Sequence, residues 1–200
     1  MQAPLIGICR HRLSVDGAGV TTLVAFHGCP LHCRYCLNPQ CLKPEVVWRT
    51  LTPQEVMTYL QKDDLYFRAT GGGMCFGGGE PLLRSAFIRE LCKLMPAAWS
   101  VTVETSLNVP WQHVEEVMPL VRQWIIDVKD MNPDIYHRYT TTDNARVKDN
   151  LRRLQENTTS ILVRLPRIPD YNTPADIAAS RKELEALGIT HFEEFDYQVR

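Results

Sequence analysis

The sequence predicts an α/β protein: a partial, TIM-like (β/α)6 barrel with a parallel sheet, open on one side. Three observations predict it. Short apolar, β-branched runs recur along the chain. Amphipathic segments with helix-start signals separate them. The alternation reaches six strand–helix units, two short of a closed eightfold barrel.

The elements follow in chain order. Thr21–Phe26 (TTLVAF) is apolar and β-branched, as a buried strand requires. Thr52–Gln61 opens with Thr-Pro and carries Glu55 three residues after the Thr, a capping-box start to a helix. Gly73–Phe76 is the second strand, and Pro81–Leu94 has apolar residues at helical spacing. The run Gly71-Gly72-Gly73 is expected to reverse the chain as a loop. Val101–Thr105 is the third strand, with a helix at Trp111–Met118. Trp124–Val128 (WIIDV) is the fourth, and Pro133–Glu156 is helical except across Thr140–Asn144. Ile161–Leu165 is the fifth, Pro174–Leu187 is a helix stopped at Gly188, and Phe192–Tyr197 is the sixth. No repeat, low-complexity tract or linker interrupts the series, so residues 1–200 are expected to form one domain. In folds of this kind active sites gather at the C-terminal ends of the strands.

Composition narrows the function classes. Hydrophobic residues make up 44% and charged residues 22% of the 200, a globular balance rather than a disordered one. With Lys+Arg at 22 and Asp+Glu at 23 the net charge is −1, which argues against a nucleic-acid or membrane-surface partner. The first residues, MQAPLIGICRHRLSV, have no basic segment followed by an apolar run, and no 18-residue apolar stretch occurs. A cytoplasmic protein with reduced thiols is expected.

Three of the seven cysteines, Cys29, Cys33 and Cys36, lie within eight residues just after the first predicted strand. Their spacing is C-x3-C-x2-C. Three thiolates on one short loop suit an iron–sulfur cubane with one iron left open for another ligand. A zinc loop completed by His27, His32 or Cys41 is the alternative. Cys9, Cys75 and Cys92 are isolated and expected to pack as small hydrophobes, as is Cys41 if it closes no metal site. A second element, Cys75-Phe76-Gly77-Gly78-Gly79-Glu80-Pro81, follows the second strand. Its glycines permit close backbone approach to a ligand, and a carbonyl or carboxylate there can accept from an ammonium group. A plain glycine-rich turn before a helix is the other reading.

The cysteine motif, with Tyr35 before its last member, resembles the signature of radical S-adenosylmethionine (SAM) enzymes. The resemblance implies a [4Fe–4S] cluster on Cys29, Cys33 and Cys36, with SAM on the fourth iron and Tyr35 near its adenine. Cys75–Pro81 resembles the family's GGEP element and implies that Gly78, Gly79 and Glu80 bind SAM. Four further stretches resemble one subgroup, the activating enzymes of glycyl radical enzymes: Ser14–Gly19 (SVDGAG), Asp127-Val128-Lys129, Asn132–Asn150, and Val163–Pro169 (VRLPRIP). They imply that Asp127 and Lys129 hold the carboxylate and ribose region of SAM. They also imply that Glu104 and Asp127 share a monovalent cation, or else form strand-end ion pairs with Lys129 or Arg164. Asp16 and Arg164 would face the substrate peptide. The implied partners are a glycyl radical enzyme as protein substrate and a flavodoxin or ferredoxin as electron donor, in an anaerobic setting.

The sequence departs from the subgroup at Thr21, where an Arg is usual, at Thr141, where a Gly is usual, and at Leu37, where pyruvate formate-lyase activators have His. These departures leave two other readings: a radical SAM enzyme acting on a small molecule or peptide, and a non-catalytic zinc or iron–sulfur module. The ferredoxin-like insert of some relatives is not expected between the cysteine loop and the second strand. The last predicted strand ends close to Arg200, so a large partner inserting a glycine loop is expected to supply the cover of the site.

Overall fold

Among the described residues eight strands form: β1 (Ala3–Leu13), β2 (Val20–Phe26), β3 (Arg49–Leu51), β4 (Gly73–Gly78), β5 (Ser100–Thr105), β6 (Gln123–Asp127), β7 (Ile161–Arg167) and β8 (His191–Asp196). The structure is a computed structural model, and it describes residues 1–158 and 160–198. All eight strands join one sheet in the order β3-β1-β2-β4-β5-β6-β7-β8. From β2 to β8 every pairing is parallel, so the six predicted strands form the expected parallel series. The sheet is open, with β3 and β8 as its edges.

The all-parallel expectation needs correction at one end. β1 pairs antiparallel with both β2 and β3, making the sheet mixed. β1 carried a weak signal because only Ala3 and Leu5 are buried along it, and Arg10-His11-Arg12 breaks the apolar alternation. A bulge falls in that basic stretch, with His11 at φ 58. β3 spans three residues, too few to show a period.

The helices are α1 (Pro53–Leu60), α2 (Asp64–Thr70), α3 (Ser85–Cys92), α4 (Trp111–Val117), α5 (Pro133–Thr140), α6 (Ala145–Gln155) and α7 (Pro174–Ala186). α1 starts on the predicted capping box, Thr52 accepting from the Glu55 N–H while Glu55 accepts from the Thr52 N–H. α7 repeats the device with Thr173 and Asp176. α2 leaves little periodic signal in the sequence because only Phe67 of its seven residues is buried. It ends on Gly71 at φ 67, and Gly73 already belongs to β4, so the expected three-glycine loop shrinks to a helix cap and a short turn.

Alternation along the parallel strands sorts residues onto two faces. Val24, Phe26, Met74, Phe76, Val101, Val103, Trp124, Ile126 and Val163 join Phe87, Ile88, Val114, Leu151 and Leu184 of the helices in one core. Each such side chain contributes about 1.5–3 kcal/mol on burial. The other face carries Cys75, Thr102, Glu104, Asp127 and Arg164, in register across β4 to β7. The turn between β1 and β2 folds over this inner face. Ser14 N–H donates to the Gly19 carbonyl at 3.1 Å, and Arg164 Nη2 donates to the Val15 carbonyl at 2.6 Å.

Candidate functional site

The cysteine loop leaves the C-terminal end of β2 and is tied down mainly by backbone bonds. Gly28 N–H donates to the Cys41 carbonyl at 2.9 Å, His32 N–H to Thr140 at 3.1 Å, and Arg34 N–H to Tyr139 at 3.1 Å. The end of α5 therefore braces the loop. Cys29, Cys33 and Cys36 are free thiols, each half-buried. Burial pushes the Cys29 thiol up to about 12, with the Glu80 charge adding to it. Burial also raises Cys33, opposed by the Lys129 ammonium nearby. Cys36 is lowered, first by a hydrogen bond from buried Cys41.

Among the described residues, no three His, Cys, Asp or Glu side chains are already arranged to grip one ion. The donor chemistry nonetheless fits an iron–sulfur cluster: three thiols on one braced loop, close enough for Cys29 to feel the charges of both Cys33 and Cys36. The Lys129 ammonium faces the loop and would offset part of the negative charge that three thiolates bring.

Glu80 is placed differently from its expected use. It is fully buried, and its carboxylate accepts from Leu82 N–H (3.2 Å), Thr105 Oγ1 (2.7 Å), Ser106 N–H (3.0 Å) and Ser106 Oγ (2.7 Å). Burial raises its pKa, and those donors pull it back. The carboxylate pins the end of β5 to the glycine element and has no free side for a ligand ammonium. The glycines answer to the protein's own backbone as well. A Cβ on Gly79 would stand 2.3 Å from the Gly28 carbonyl, and one on Gly78, at φ 95, would stand 2.8 Å from Ala25 Cα. The element thereby seats the cysteine loop, Glu80 N–H donating to the Gly28 carbonyl at 2.7 Å.

Glu104, Asp127, Lys129, Arg164 and Asp16 form a polar centre beside the loop. Lys129 Nζ lies 3.2 Å from Asp127, and Arg164 Nη1 lies 2.9 Å from Glu104. Each of the two carboxylates thus already faces a protein cation. Burial, then the neighbouring Asp127 charge, pushes Glu104 up to about 7, with Arg164 opposing. Burial disfavours the Lys129 ammonium, but the Asp127, Cys33 and Tyr139 charges together with the Asp127 hydrogen bond raise its pKa. Arg164 also donates to Glu193 at 2.7 Å, so its guanidinium joins β5, β7, β8 and the β1–β2 turn. Asp16 is 1% exposed and paired with Arg12.

Tyr35 lies at the outer side of the loop. Its hydroxyl donates to Asp170 at 3.2 Å, and its ring meets Tyr139 and Tyr171 edge-on at 6.2 and 5.7 Å. Tyr139 and Tyr171 also pack together at 5.1 Å, and the Tyr197 hydroxyl donates to the Tyr35 carbonyl. Sequence reasoning missed this aromatic cluster and Cys41's contact with Cys36. Tyr171 sits in a loop with no periodicity to flag it. The Tyr136/Tyr139 pair at helical spacing was the one available signal.

Residues 23–178 match the sequence pattern of the family described as the Radical SAM superfamily. The chain belongs to that superfamily. It is related to activating enzymes of glycyl radical enzymes. It is 34% identical to a (2S)-3-sulfopropanediol dehydratase activating enzyme of Klebsiella oxytoca, over 78% of this chain and 69% of that protein. It is 27% identical to the pyruvate formate-lyase-activating enzyme of Clostridium pasteurianum, over 93% of this chain and 85% of that one. Among solved structures it resembles Streptococcus suis SuiB bound to its precursor peptide SuiA, with a TM-score of 0.67 at 13% identity. That match covers 88% of this chain but 38% of SuiB, and it speaks to the fold alone. Radical SAM membership supports an oxidoreductase-type enzyme that uses SAM and an iron–sulfur cluster. Among the described residues no helix is long and apolar enough to cross a membrane.

Proposed function

We propose that this chain is a radical SAM activase for a glycyl radical enzyme, acting as one radical SAM domain. Cys29, Cys33 and Cys36 would hold a [4Fe–4S] cluster. The cluster and SAM, when bound and reduced by one electron, supply a 5′-deoxyadenosyl radical able to take hydrogen from a backbone glycine. The observation that carries the reading is the position of the three-thiol loop. It stands at the C-terminal end of the first parallel strand, with the Lys129–Asp127 pair close to Cys33, in a chain related to activating enzymes.

The chain's own residues bind and orient. Lys129, kept charged by Asp127, is a compact donor for the SAM carboxylate. Glu104 and Asp127 would frame that carboxylate, with a monovalent cation as a further neutralising charge. The backbone of Gly78 and Gly79, not the Glu80 carboxylate, would receive the SAM ammonium. The resemblance would put Tyr35 near the adenine, whereas its ring packs at the outer side of the loop against Tyr139 and Tyr171. Arg164 anchors the β1–β2 turn, and with Asp16 it sets the inner wall that the substrate glycine approaches. Such positioning and water exclusion are the protein's share of cofactor chemistry.

The test is anaerobic cluster reconstitution followed by dithionite and SAM. The expected product is 5′-deoxyadenosine, released with methionine. A fully loaded cluster that cleaves no SAM overturns the reading. A second reading, a radical SAM enzyme acting on a small molecule or peptide, is favoured by Thr21, whose buried hydroxyl has no hydrogen-bond partner. It predicts SAM cleavage without a glycyl radical on a partner protein.

A further inference from the structure

We propose that the groove on the outer side of the cysteine loop is the docking face for an acidic one-electron donor protein. The proposal rests on the radical SAM reading, because that chemistry needs a reductant. The groove has a volume of about 520 Å³ and is lined by Arg34, Tyr35, His137, Arg138, Asp170 and Tyr171, with Thr141 at its side. Arg34 and Tyr35 are the two residues between Cys33 and Cys36. A protein seated here touches the thiol-bearing segment itself.

Charge identifies the occupant. Among the described residues eight arginines are held in ion pairs: Arg10, Arg12, Arg68, Arg89, Arg152, Arg164, Arg167 and Arg181 each face a carboxylate. Among the described residues, Arg34 and Arg138 have no carboxylate within ion-pair distance. Arg138 donates to the Tyr171 carbonyl at 2.9 Å and stands 5.9 Å from the centre of the Tyr171 ring, which holds its charge at the rim. Both arginines and His137 are exposed. Asp170 is the acidic lining residue, and it is engaged by the Tyr35 hydroxyl. On a chain of net charge −1, a cluster of unpaired cations is a local surplus that steers an acidic protein.

The interior of the groove fits the same role. Tyr35 and Tyr171 form its wall, and Tyr139 packs behind both. The Tyr139 carbonyl accepts from the Arg34 N–H at 3.1 Å, so the tyrosine wall is bonded directly to the cysteine loop. The step is balanced without further reagents. The donor protein loses one electron, the cluster held by the three thiolates gains it, and no bond or proton changes hands.

The experiment uses the cluster-loaded protein under anaerobic conditions, with fully reduced flavodoxin as the donor and dithionite as the small-reductant control. Cluster absorbance is followed in stopped flow at low and high salt. The double variant Arg34→Glu/Arg138→Glu, and the milder Arg34→Gln/Arg138→Gln, are expected to keep their iron content because both side chains are exposed and the Arg138 contact with Tyr171 lies at the rim. With Glu at both sites, reduction by flavodoxin is expected to slow about tenfold or more at low salt, and flavodoxin binding to weaken in parallel. The Gln pair falls between, the salt dependence flattens, and reduction by dithionite stays unchanged. Equal flavodoxin rates in wild type and both variants overturn the docking face. Unchanged reduction with lost glycyl-radical formation also overturns it, because the face then belongs to the substrate protein. A wild-type cluster that dithionite itself cannot reduce overturns the radical SAM reading and the docking face together.

Discussion

Glu104 shows how a single carboxylate records the electrostatics of the site. Burial and the Asp127 charge push its pKa up to about 7 from an ordinary 4.5. Between those values the folded state binds more protons than the unfolded one, so stability falls as pH rises through that window. Glu104→Gln removes the titration. Between pH 4 and pH 8 the variant is expected to gain on the wild type by on the order of 2–3 kcal/mol, read by urea unfolding at each pH. A parallel pH profile for the two proteins would contradict the placement. Glu80 behaves oppositely under substitution. Glu80→Ala strips four hydrogen bonds from a buried site and is expected to cost about 3 kcal/mol, with Glu80→Gln recovering part of it. The cysteine spacing was legible in the sequence because metal-ligand spacing is local. The job of Glu80 was not, because its donors Thr105 and Ser106 lie 25 and 26 residues further on.

At the scale of elements, the glycine segment and the cysteine loop behave as one unit. Gly79→Ala drives a methyl group into the Gly28 carbonyl at 2.3 Å, and neither backbone can retreat without moving β2 or β4. The variant is expected to lose cluster retention after reconstitution, measured as iron per chain, along with thermal stability. Retained iron at wild-type melting temperature would separate the two segments. The α1 cap gives a milder case: Thr52→Ala removes the capping box and is expected to cost about 1 kcal/mol in chemical denaturation. Five of the six parallel strands and most helices could be read because both faces, or one full stripe, are buried and leave a strong period, whereas β8 has no fully buried residue. β1, β3 and α2 escaped because each buries too little: Ala3 and Leu5 on β1, Leu51 on β3 and Phe67 on α2.

For the whole molecule, the open sheet concentrates its chemistry on one side. The apolar face is sealed by helices, while the inner face collects Glu104, Asp127, Lys129 and Arg164 at strand ends. The resemblance to activating enzymes singled these residues out, and the βα series put them at strand ends. It did not show that Arg164 ties three strands to the β1–β2 turn, nor that four tyrosines gather outside the cysteine loop. The account places a radical-generating centre on this face and a glycine-bearing protein over it. Electron paramagnetic resonance of a candidate glycyl radical enzyme, incubated anaerobically with the cluster-loaded protein, SAM and reductant, tests this most directly. The account predicts a glycyl doublet that disappears when Cys29, Cys33 or Cys36 is replaced by Ala. Efficient SAM cleavage with no doublet on any glycyl radical enzyme supplied would contradict it.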